Sequence, residues 1–522
     1  MKFVSEPSIV TKIRKMKERV RWQHPSIVQR GIDQTRFVLE DGHNNDLEFS
    51  FLVIGDSGTG RHREDNPQRR IAKSMLAHSQ DCRFILHTGD VVYLVGSNEQ
   101  YPQNFIKPYR EFLVGGEQPE RIQYDRMVFK LPILPVPGNH DYYDLSWMYG
   151  LLAQATWPLR YLLQSRIDID VGWHGSFQGD AYARAFLDYL QAMNQTQLAR
   201  HLDRHYTAIA DNRRCLTYQP NHFTRLPNRY YTFRYGGIDF FALDSNTFNL
   251  PLPLPDTPEG RQLRQQLKAH RQELEEERMR LLTNVVGLNS DTPEDAEKIE
   301  EIYGELEQLG EQIFDLDKQL STSKKAIVDF EQLQWLQQKL IDSWQNPQVR
   351  GRVIYFHHPP YVTEATKWDQ GQTLAVRSHL RQVLNAVREK INSITAGRPL
   401  VDLVLTGHAH CLEHLCTEDT GHADSHLNWL ICGGSGYSLR RQRSQGEELT
   451  ELIQGTSSDS RLVARSHLFV GRSGHGSKKR RPYSFLRIEV KGGSPPEFLV
   501  QPLIVEKFQK DWRNYSMSSF TI

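Results

Sequence analysis

Five short segments of this 522-residue chain end apolar runs with aspartate, tyrosine, asparagine or histidine. They are Gly55-Asp56-Ser57-Gly58, Gly89-Asp90-Val91-Val92-Tyr93, Gly138-Asn139-His140-Asp141, His357-His358-Pro359-Pro360 and Gly407-His408-Ala409-His410. Hard oxygen donors (Asp56, Asp90, Tyr93 and the Asn139 side-chain carbonyl) mixed with imidazoles (His357, His408, His410) suit Fe, Mn or Zn and need no thiolate. Seven donors are too many for one tetrahedral zinc but fit two metals with positions left for water and substrate. Two cations about 3.5–4 Å apart, sharing a carboxylate, can clamp both the attacking and the leaving oxygen of a displacement. Such a pair generates a metal-bound hydroxide near neutral pH, directed here at phosphorus.

Donors so far apart in sequence need a scaffold that gathers them. Each segment directly follows a β-rich run: Phe49 to Ile54, Phe84 to His87, Ile133 to Val136, Val353 to Phe356 and Leu403 to Leu405. Short apolar runs bounded by glycine or proline read as buried strands. Open α/β sheets bind ligands beyond the carboxyl ends of their strands, so the five loops are expected to converge on one point. The bland alternative is that these aspartates and histidines only cap turns; agreement of all five segments with a strand end argues against it.

In this order the blocks resemble the calcineurin-like metallophosphoesterases, and within them the purple acid phosphatase branch. That branch reads D-x-G, G-D-x-x-Y, G-N-H-D/E, V-x-x-H and G-H-x-H. The chain departs from it only in Ile354 for valine, a packing position. Most relatives outside the branch have histidine where Gly58 stands; here Tyr93 supplies the replacement ligand. The resemblance implies a first metal held by Asp56, Asp90, Tyr93 and His410, and a second held by Asp90, Asn139, His357 and His408, with Asp90 bridging. A tyrosinate ligand points to Fe(III) in the first position and divalent Fe, Zn or Mn in the second, while a reducing compartment leaves a di-divalent pair such as di-Mn open. His140 would protonate the leaving alkoxide as general acid, with Asp141 orienting it and raising its pKa. His358 either touches substrate or fills space. The implied fold is α/β, a four-layer αββα sandwich of two mixed sheets. The implied reaction is phosphate ester hydrolysis, of monoesters first and nucleotide-type diesters second. From another class, the chain could be a metal-binding scaffold that works through a coiled-coil arm.

Composition bounds these readings. A net charge of +1 argues against a general nucleic-acid or membrane surface. No apolar stretch is long enough to span a bilayer, and Met1 to Trp22 has neither an apolar core nor a small-residue cleavage site. Five cysteines, an odd and sparse set, make no disulfide framework. Cys411, His414 and Cys416 lack the second cysteine pair of a zinc knuckle and read as semi-buried thiols. These features favour a cytoplasmic location.

The core is expected to run from 47 to 141 after an N-terminal extension (1–46), to resume at 229–250, and to finish at 326–522 with flexible loops near 440–482. Two insertions interrupt it. Residues 142–228, rich in aromatics such as Trp147, Tyr149, Trp157, Tyr161, Trp173, Phe177, Tyr182, Phe186 and Tyr189, are expected to form a helical cap at the rim of the site. His174, His222 and Arg225 within it are candidate substrate contacts or simply solvated loop residues. Residues 251–325 open with prolines and continue as two heptad helices. Leu263, Leu267, Leu274 and Leu281, with His270 in the seam, face Ile299, Ile302, Leu306, Leu309, Ile313, Leu316 and Leu320 across a turn at Asn289 to Pro293. This reads as an antiparallel coiled-coil hairpin standing off the core. A decorative arm and an arm for homodimerisation or partner docking fit the seam equally well; its mixed charges argue against a membrane role. Arg61 and Arg63 could hold phosphate oxygens or be surface charge, and the Gly433-Gly434-Ser435-Gly436 loop is explained equally by phosphate binding or tight-turn geometry. The Lys478 to Arg481 tetrad reads as solvated surface. Strand character returns at Phe485 to Val490 and Phe498 to Val505, closing the second sheet.

Overall fold

The computed structural model describes residues 4–58, 66–145, 175–285, 288, 293–322, 327–391, 393–452 and 459–522. Two mixed sheets face each other. The smaller is built around three parallel strands, β1 (Phe49–Ile54), β2 (Cys82–His87) and β3 (Ile133–Pro135), with Arg480–Val490, Phe498–Phe508 and Asp511–Ser516 continuing beyond β1. In its register Ile54 stands opposite His87, and His87 opposite Pro135, so the three carboxyl ends are level. The larger, eleven-stranded sheet holds β4 (Gly351–Tyr355) and β5 (Leu403–Thr406) side by side, parallel, with Tyr355 opposite Leu405.

Period-two patterning explains why the sheets stack. Along β4 and β5, Val353, Tyr355, Leu403 and Leu405 enter the core between the sheets, joined by Phe240, Phe51 and Phe84. Phe51 meets Phe240 edge-on with ring centres 5.7 Å apart, and Phe84 meets Phe233 at 5.4 Å. The alternate residues Ile354, Phe356 and Val404 face the other way. There they pack on Leu333, Leu336 and Leu340 of the helix Phe330–Gln345 and on Val376, Leu380, Leu384 and Val387 of the helix Gly371–Ile391. The helix Pro67–His78, capped by Asn66, covers the outer face of the smaller sheet through Ile71 and Met75. The layers run helix, sheet, sheet, helix. Each large apolar side chain buried here contributes roughly 1.5–3 kcal/mol.

Three expectations about the periphery need correction. Residues 1–46 are not an appended extension: Ile32–Leu39, almost wholly buried, is a strand inside the larger sheet, between Arg213–Tyr218 and Tyr231–Tyr235. Of the expected cap, residues 146–174 lie outside the described residues, including Trp147, Tyr149, Trp157, Tyr161, Trp173 and His174. The remainder is not a cap. Ala208–Ala210 and Arg213–Tyr218 extend the larger sheet, and Tyr182 and Phe186 are buried against Tyr101 and Phe105.

The third correction concerns the hairpin. Its helices, α1 (Pro258–Val285) and α2 (Pro293–Ser321), run antiparallel, with Arg264 bonded to the Leu320 carbonyl and Arg271 paired with Asp317. Leu274, Leu309, Ile313 and Leu316 form their seam, flanked by Leu267 and Leu281. Leu263 and His270 are exposed instead. Nor does the hairpin stand off the core: Phe314 packs on Tyr143, Lys318 pairs with Glu6, and Asp315 caps the helix Gly371–Ile391 by accepting from Gly371 N (2.7 Å) and Gln372 N (3.0 Å). No described helix is long and apolar enough to cross a membrane.

Candidate metal centre

The carboxyl ends of β1, β2 and β3 in one sheet meet those of β4 and β5 in the other, and the loops that follow carry the seven donors. Three of these residues, Asp56 (φ 51°), Asp90 (φ 55°) and His408 (φ 64°), lie in the left-handed region. Such backbone is costly for residues other than glycine and is found where geometry serves a site. Gly58 has a packing reason to be glycine. A Cβ there would fall 2.7 Å from Tyr93 N and from Val92 Cα, so the Val92-Tyr93 backbone occupies the space that a histidine at 58 would need.

The donors converge as a group with too few protons. The Tyr93 hydroxyl lies 2.7 Å from Asp90 Oδ2, 3.0 Å from Asp56 Oδ1 and 3.2 Å from His410 Nε2. One phenolic hydrogen cannot serve three acceptors. His357 Nε2 stands 2.9 Å from Asn139 Oδ1 and 3.3 Å from Asp90 Oδ2, and His410 Nε2 is 3.5 Å from Asp56 Oδ1. All of these side chains are buried. Ligating atoms of Asp56, Asp90 and His357 lie within 4.8 Å of one another, as do those of His357, His358 and His408. A crowd of buried acceptors sharing few hydrogens is the arrangement that cations complete, so this donor set fits metal ions. Asp90 Oδ2 lies within reach of both the Tyr93 hydroxyl (2.7 Å) and His357 Nε2 (3.3 Å).

The surroundings orient the imidazoles. His357 Nδ1–H donates to the Thr88 carbonyl (2.9 Å) and His410 Nδ1–H to the Ser438 carbonyl (2.9 Å), turning each Nε2 inward. Asp56 Oδ2 accepts from His408 N at 2.9 Å. Burial, with the charges of Asp90 and nearby groups, pushes the Asp56 carboxyl far above its usual range. Burial and the adjoining Asp56 and Asp90 do the same to the Tyr93 phenol. Against the upward push of burial, His357 and His140 hold Asp90 well below the carboxylate range, and Asp90 in turn raises His357 to about 9 in spite of burial. The electrostatics is that of ligands waiting for positive charge.

His140 sits beside this group, its ring centre 4.2 Å from that of Tyr93, with Nδ1–H donating to the Leu94 carbonyl at 2.6 Å. Nε2 is therefore the nitrogen left for a further partner. Asp141 is not its orienting partner, contrary to the sequence reading. Its carboxylate turns into the loop junction and accepts from Gly138 N (2.8 Å), Asp90 N (3.1 Å) and Val91 N (3.2 Å). Buried backbone amides of two neighbouring loops claim it as their acceptor. Burial and the charge of Asp90 lift its carboxyl to about 8.

Other candidates resolve differently. His358 is fully buried, with Nδ1 2.8 Å from Ser245 Oγ and Nε2 3.1 Å from Asn249 Nδ2; it fills space and braces the 245–249 turn. His222 is exposed, while Arg225 is buried away from the donors, bonded to the Met127 carbonyl. Arg61 and Arg63 lie outside the described residues. In the glycine loop, close packing accounts for Gly433, where a Cβ would fall 2.1 Å from the Ala409 carbonyl oxygen. It delivers Tyr437, which stacks on Tyr93 with centres 3.8 Å apart. Sequence reasoning also missed Lys367 and Gln372, whose nitrogens lie 3.1 and 3.0 Å from His408 Nε2, and Glu307, Glu311 and Arg440. No motif marks them. The one available signal is a polar stripe, Gly304, Glu307, Glu311, Asp315 and Lys318, at helical spacing along α2.

Residues 49–273 match the family model described as calcineurin-like phosphoesterase. The match includes Asp56, Asp90, Tyr93, Asn139 and His140; His357, His408 and His410 lie beyond it. No curated protein sequence matches the chain. Among solved structures, similarity is found to purple acid phosphatase PPD1 from yellow lupin (Lupinus luteus) seeds, at 12% identity and TM-score 0.40, covering 91% of this chain and 53% of that one. It is also found to GAP50, the anchor in the inner membrane complex of Plasmodium (11%, 0.35, covering 90% and 88%), and to PhoD (12%, 0.37, covering 91% and 69%). The chain thus spans about half the length of the lupin protein, and likeness at these TM-scores adds nothing about activity. The match places residues 49–273, less than half of the chain, in likeness to the calcineurin-like phosphoesterase family.

Proposed function

We propose that this chain is a dinuclear-metal phosphohydrolase of the purple acid phosphatase type, acting first on phosphomonoesters and second on diesters. The observation that carries the reading is the hydrogen-poor cluster around Tyr93, where one phenolic proton faces Asp56, Asp90 and His410. Asp56, Asp90, Tyr93 and His410 would hold the first ion, and Asp90, Asn139, His357 and His408 the second. Iron paired with Fe, Zn or Mn suits a tyrosinate beside imidazoles and carboxylates. When bound, the ions supply an activated water and neutralise charge on the phosphoryl oxygens.

The chain's own residues supply the rest. His140, held by the Leu94 carbonyl, presents its free nitrogen to the departing ester oxygen and gives it a proton. Asp141 ties the loops of Asp90 and Asn139 together so that both meet the substrate in one geometry. The test is hydrolysis of p-nitrophenyl phosphate and its bis-ester by protein of measured metal content, beside Asp90→Asn. Turnover that vanishes in the variant supports the reading, and the ratio of rates ranks monoester against diester. No turnover of either ester with Fe, Mn or Zn would refute it.

A further inference from the structure

The second face of α2 closes on the mouth of the site. Its leucine face makes the hairpin seam, while Gly304, Glu307, Glu311, Phe314 and Lys318 point at the core. Gly304 permits the approach: its carbonyl accepts from Arg440 Nη1 at 3.0 Å, and a Cβ there would lie 3.3 Å from Ser438 Oγ. Below this anchor, Glu311 Oε2 lies 2.8 Å from Lys367 Nζ, and Glu307 Oε2 lies 3.7 Å from Arg440 Nη2. Oxygens of both glutamates and a ring nitrogen of His140 fall within 4.8 Å of one another. Lys367 Nζ is at the same time 3.1 Å from His408 Nε2.

Two cations, Lys367 and Arg440, are therefore buried to 1% exposure beside the general acid and a candidate ligand, facing carboxylates that the hairpin brings in. Among the described residues Arg440 Nη2 has no hydrogen-bond acceptor, since 3.7 Å is ion-pair range only. A buried guanidinium donor left unsatisfied costs about 1–3 kcal/mol, so the glutamate is a poorer partner than this cradle can take. A third metal ion is the wrong occupant: Lys367 and Arg440 already balance the two carboxylates, and a further cation would be repelled by both. An oxyanion within reach of His140 suits the cradle. Arginine and lysine are the side chains that hold phosphoryl oxygens.

We propose that Lys367 and Arg440 form the subsite for the substrate's phosphoryl oxygens, and that Glu311 and Glu307 fill it in the resting protein, so that the hairpin competes with substrate for its own active site. This rests on the phosphohydrolase reading above. Two freed cations favour a dianionic monoester over a singly charged diester. Binding requires the two carboxylates to leave the cradle, and no covalent step is involved.

The test uses the full chain, loaded with Mn2+ and checked for metal content and folding, and measures the Kd of inorganic phosphate by calorimetry and its Ki against p-nitrophenyl phosphate. The double variant Glu307→Gln/Glu311→Gln should bind phosphate about tenfold tighter, and Lys367→Met about tenfold weaker, the scale of one lost or gained charge contact of about 1.4 kcal/mol. Arg440→Gln provides a second loss variant. The proposal is overturned if the glutamine variant binds phosphate more weakly than the wild type, which would make the carboxylates positioning groups. It is equally overturned if it and the Lys367 and Arg440 variants keep wild-type affinity. Phosphate affinities that shift as expected in a protein without turnover would overturn the hydrolase reading and leave the subsite standing.

Discussion

Replacing Asp141 by asparagine separates a structural from a chemical role for this residue. Its Oδ2 accepts from Gly138 N at 2.8 Å and Asp90 N at 3.1 Å, and its Oδ1 from Val91 N at 3.2 Å. Asparagine keeps one oxygen, which will serve the Gly138 and Asp90 amides. Its NH2 then faces the Val91 N–H, donor against donor, leaving that amide only the long 3.4 Å contact to the retained oxygen in a fully buried place. One nearly unsatisfied buried amide costs about 1–3 kcal/mol. That cost falls on the loops that carry Asp90 and Asn139. Outer-shell changes of this kind weaken metal affinity about 10–100-fold. Titration of apo Asp141→Asn with Mn2+ by calorimetry, with thermal melts alongside, should show both the weaker binding and a lower Tm. If stability and metal affinity stay at wild-type values while kcat collapses, Asp141 acts on the chemistry through His140, and the assignment made from its amide bonds is wrong.

His140→Ala should lower kcat about 10²–10⁴-fold on alkyl phosphates and much less on p-nitrophenyl phosphate, whose leaving group needs no proton; equal losses on both would remove His140 from that role. Gly58→Ala forces the Val92-Tyr93 backbone to move by several tenths of an ångström, and metal analysis should find the ion nearest Tyr93 depleted by about tenfold in affinity, a result that unchanged stoichiometry at limiting metal would contradict. Glu413, buried and bonded to Thr363, has its carboxyl raised by burial to about 7 from 4.5. The folded state thus binds this proton more tightly than the unfolded chain, so its contribution to stability is full below pH 4.5 and is lost as pH rises through 7, up to about 3 kcal/mol. Glu413→Gln should therefore gain stability over the wild type progressively between pH 5 and 8, and parallel melting curves across that range would refute the reasoning.

The loops of the candidate donors were legible in the sequence because each stands at the end of a strand buried on both faces, where apolar runs and a following glycine or proline leave little ambiguity. Ile133 to Val136 and Leu403 to Leu405 need only their own residues to be recognised. Lys367, Arg440, Glu307 and Glu311 were not legible, since their meaning depends on which face of a helix docks on which loop. The α2 heptad of Leu309, Ile313 and Leu316 is a strong signal, and it masks the weaker polar stripe on the same helix. Ile32–Leu39 was missed for another reason. Its sequence, Ile-Asp-Gln-Thr-Arg-Phe-Val-Leu, is too polar to read as a central strand; Asp33 and Arg36 are buried there because Lys339 and Asp211 pair with them.

The donors are divided between the two sheets: Asp56, Asp90, Tyr93 and Asn139 follow β1 to β3, while His357, His408 and His410 follow β4 and β5. Elsewhere the sheets meet through rings such as Phe51 on Phe240, contacts that are strong but do not dictate registry, because apolar packing has little directionality. The polar centre is directional. Ions seated there would rivet one sheet to the other at a single point, turning metal occupancy into a clamp on how far the layers can slide. Loading at a hundredfold excess over Kd adds about 2.7 kcal/mol to the folded state, and a chelator would remove that clamp, leaving the aromatic packing and a few direct bonds such as His408 N to Asp56 and His357 Nδ1 to Thr88.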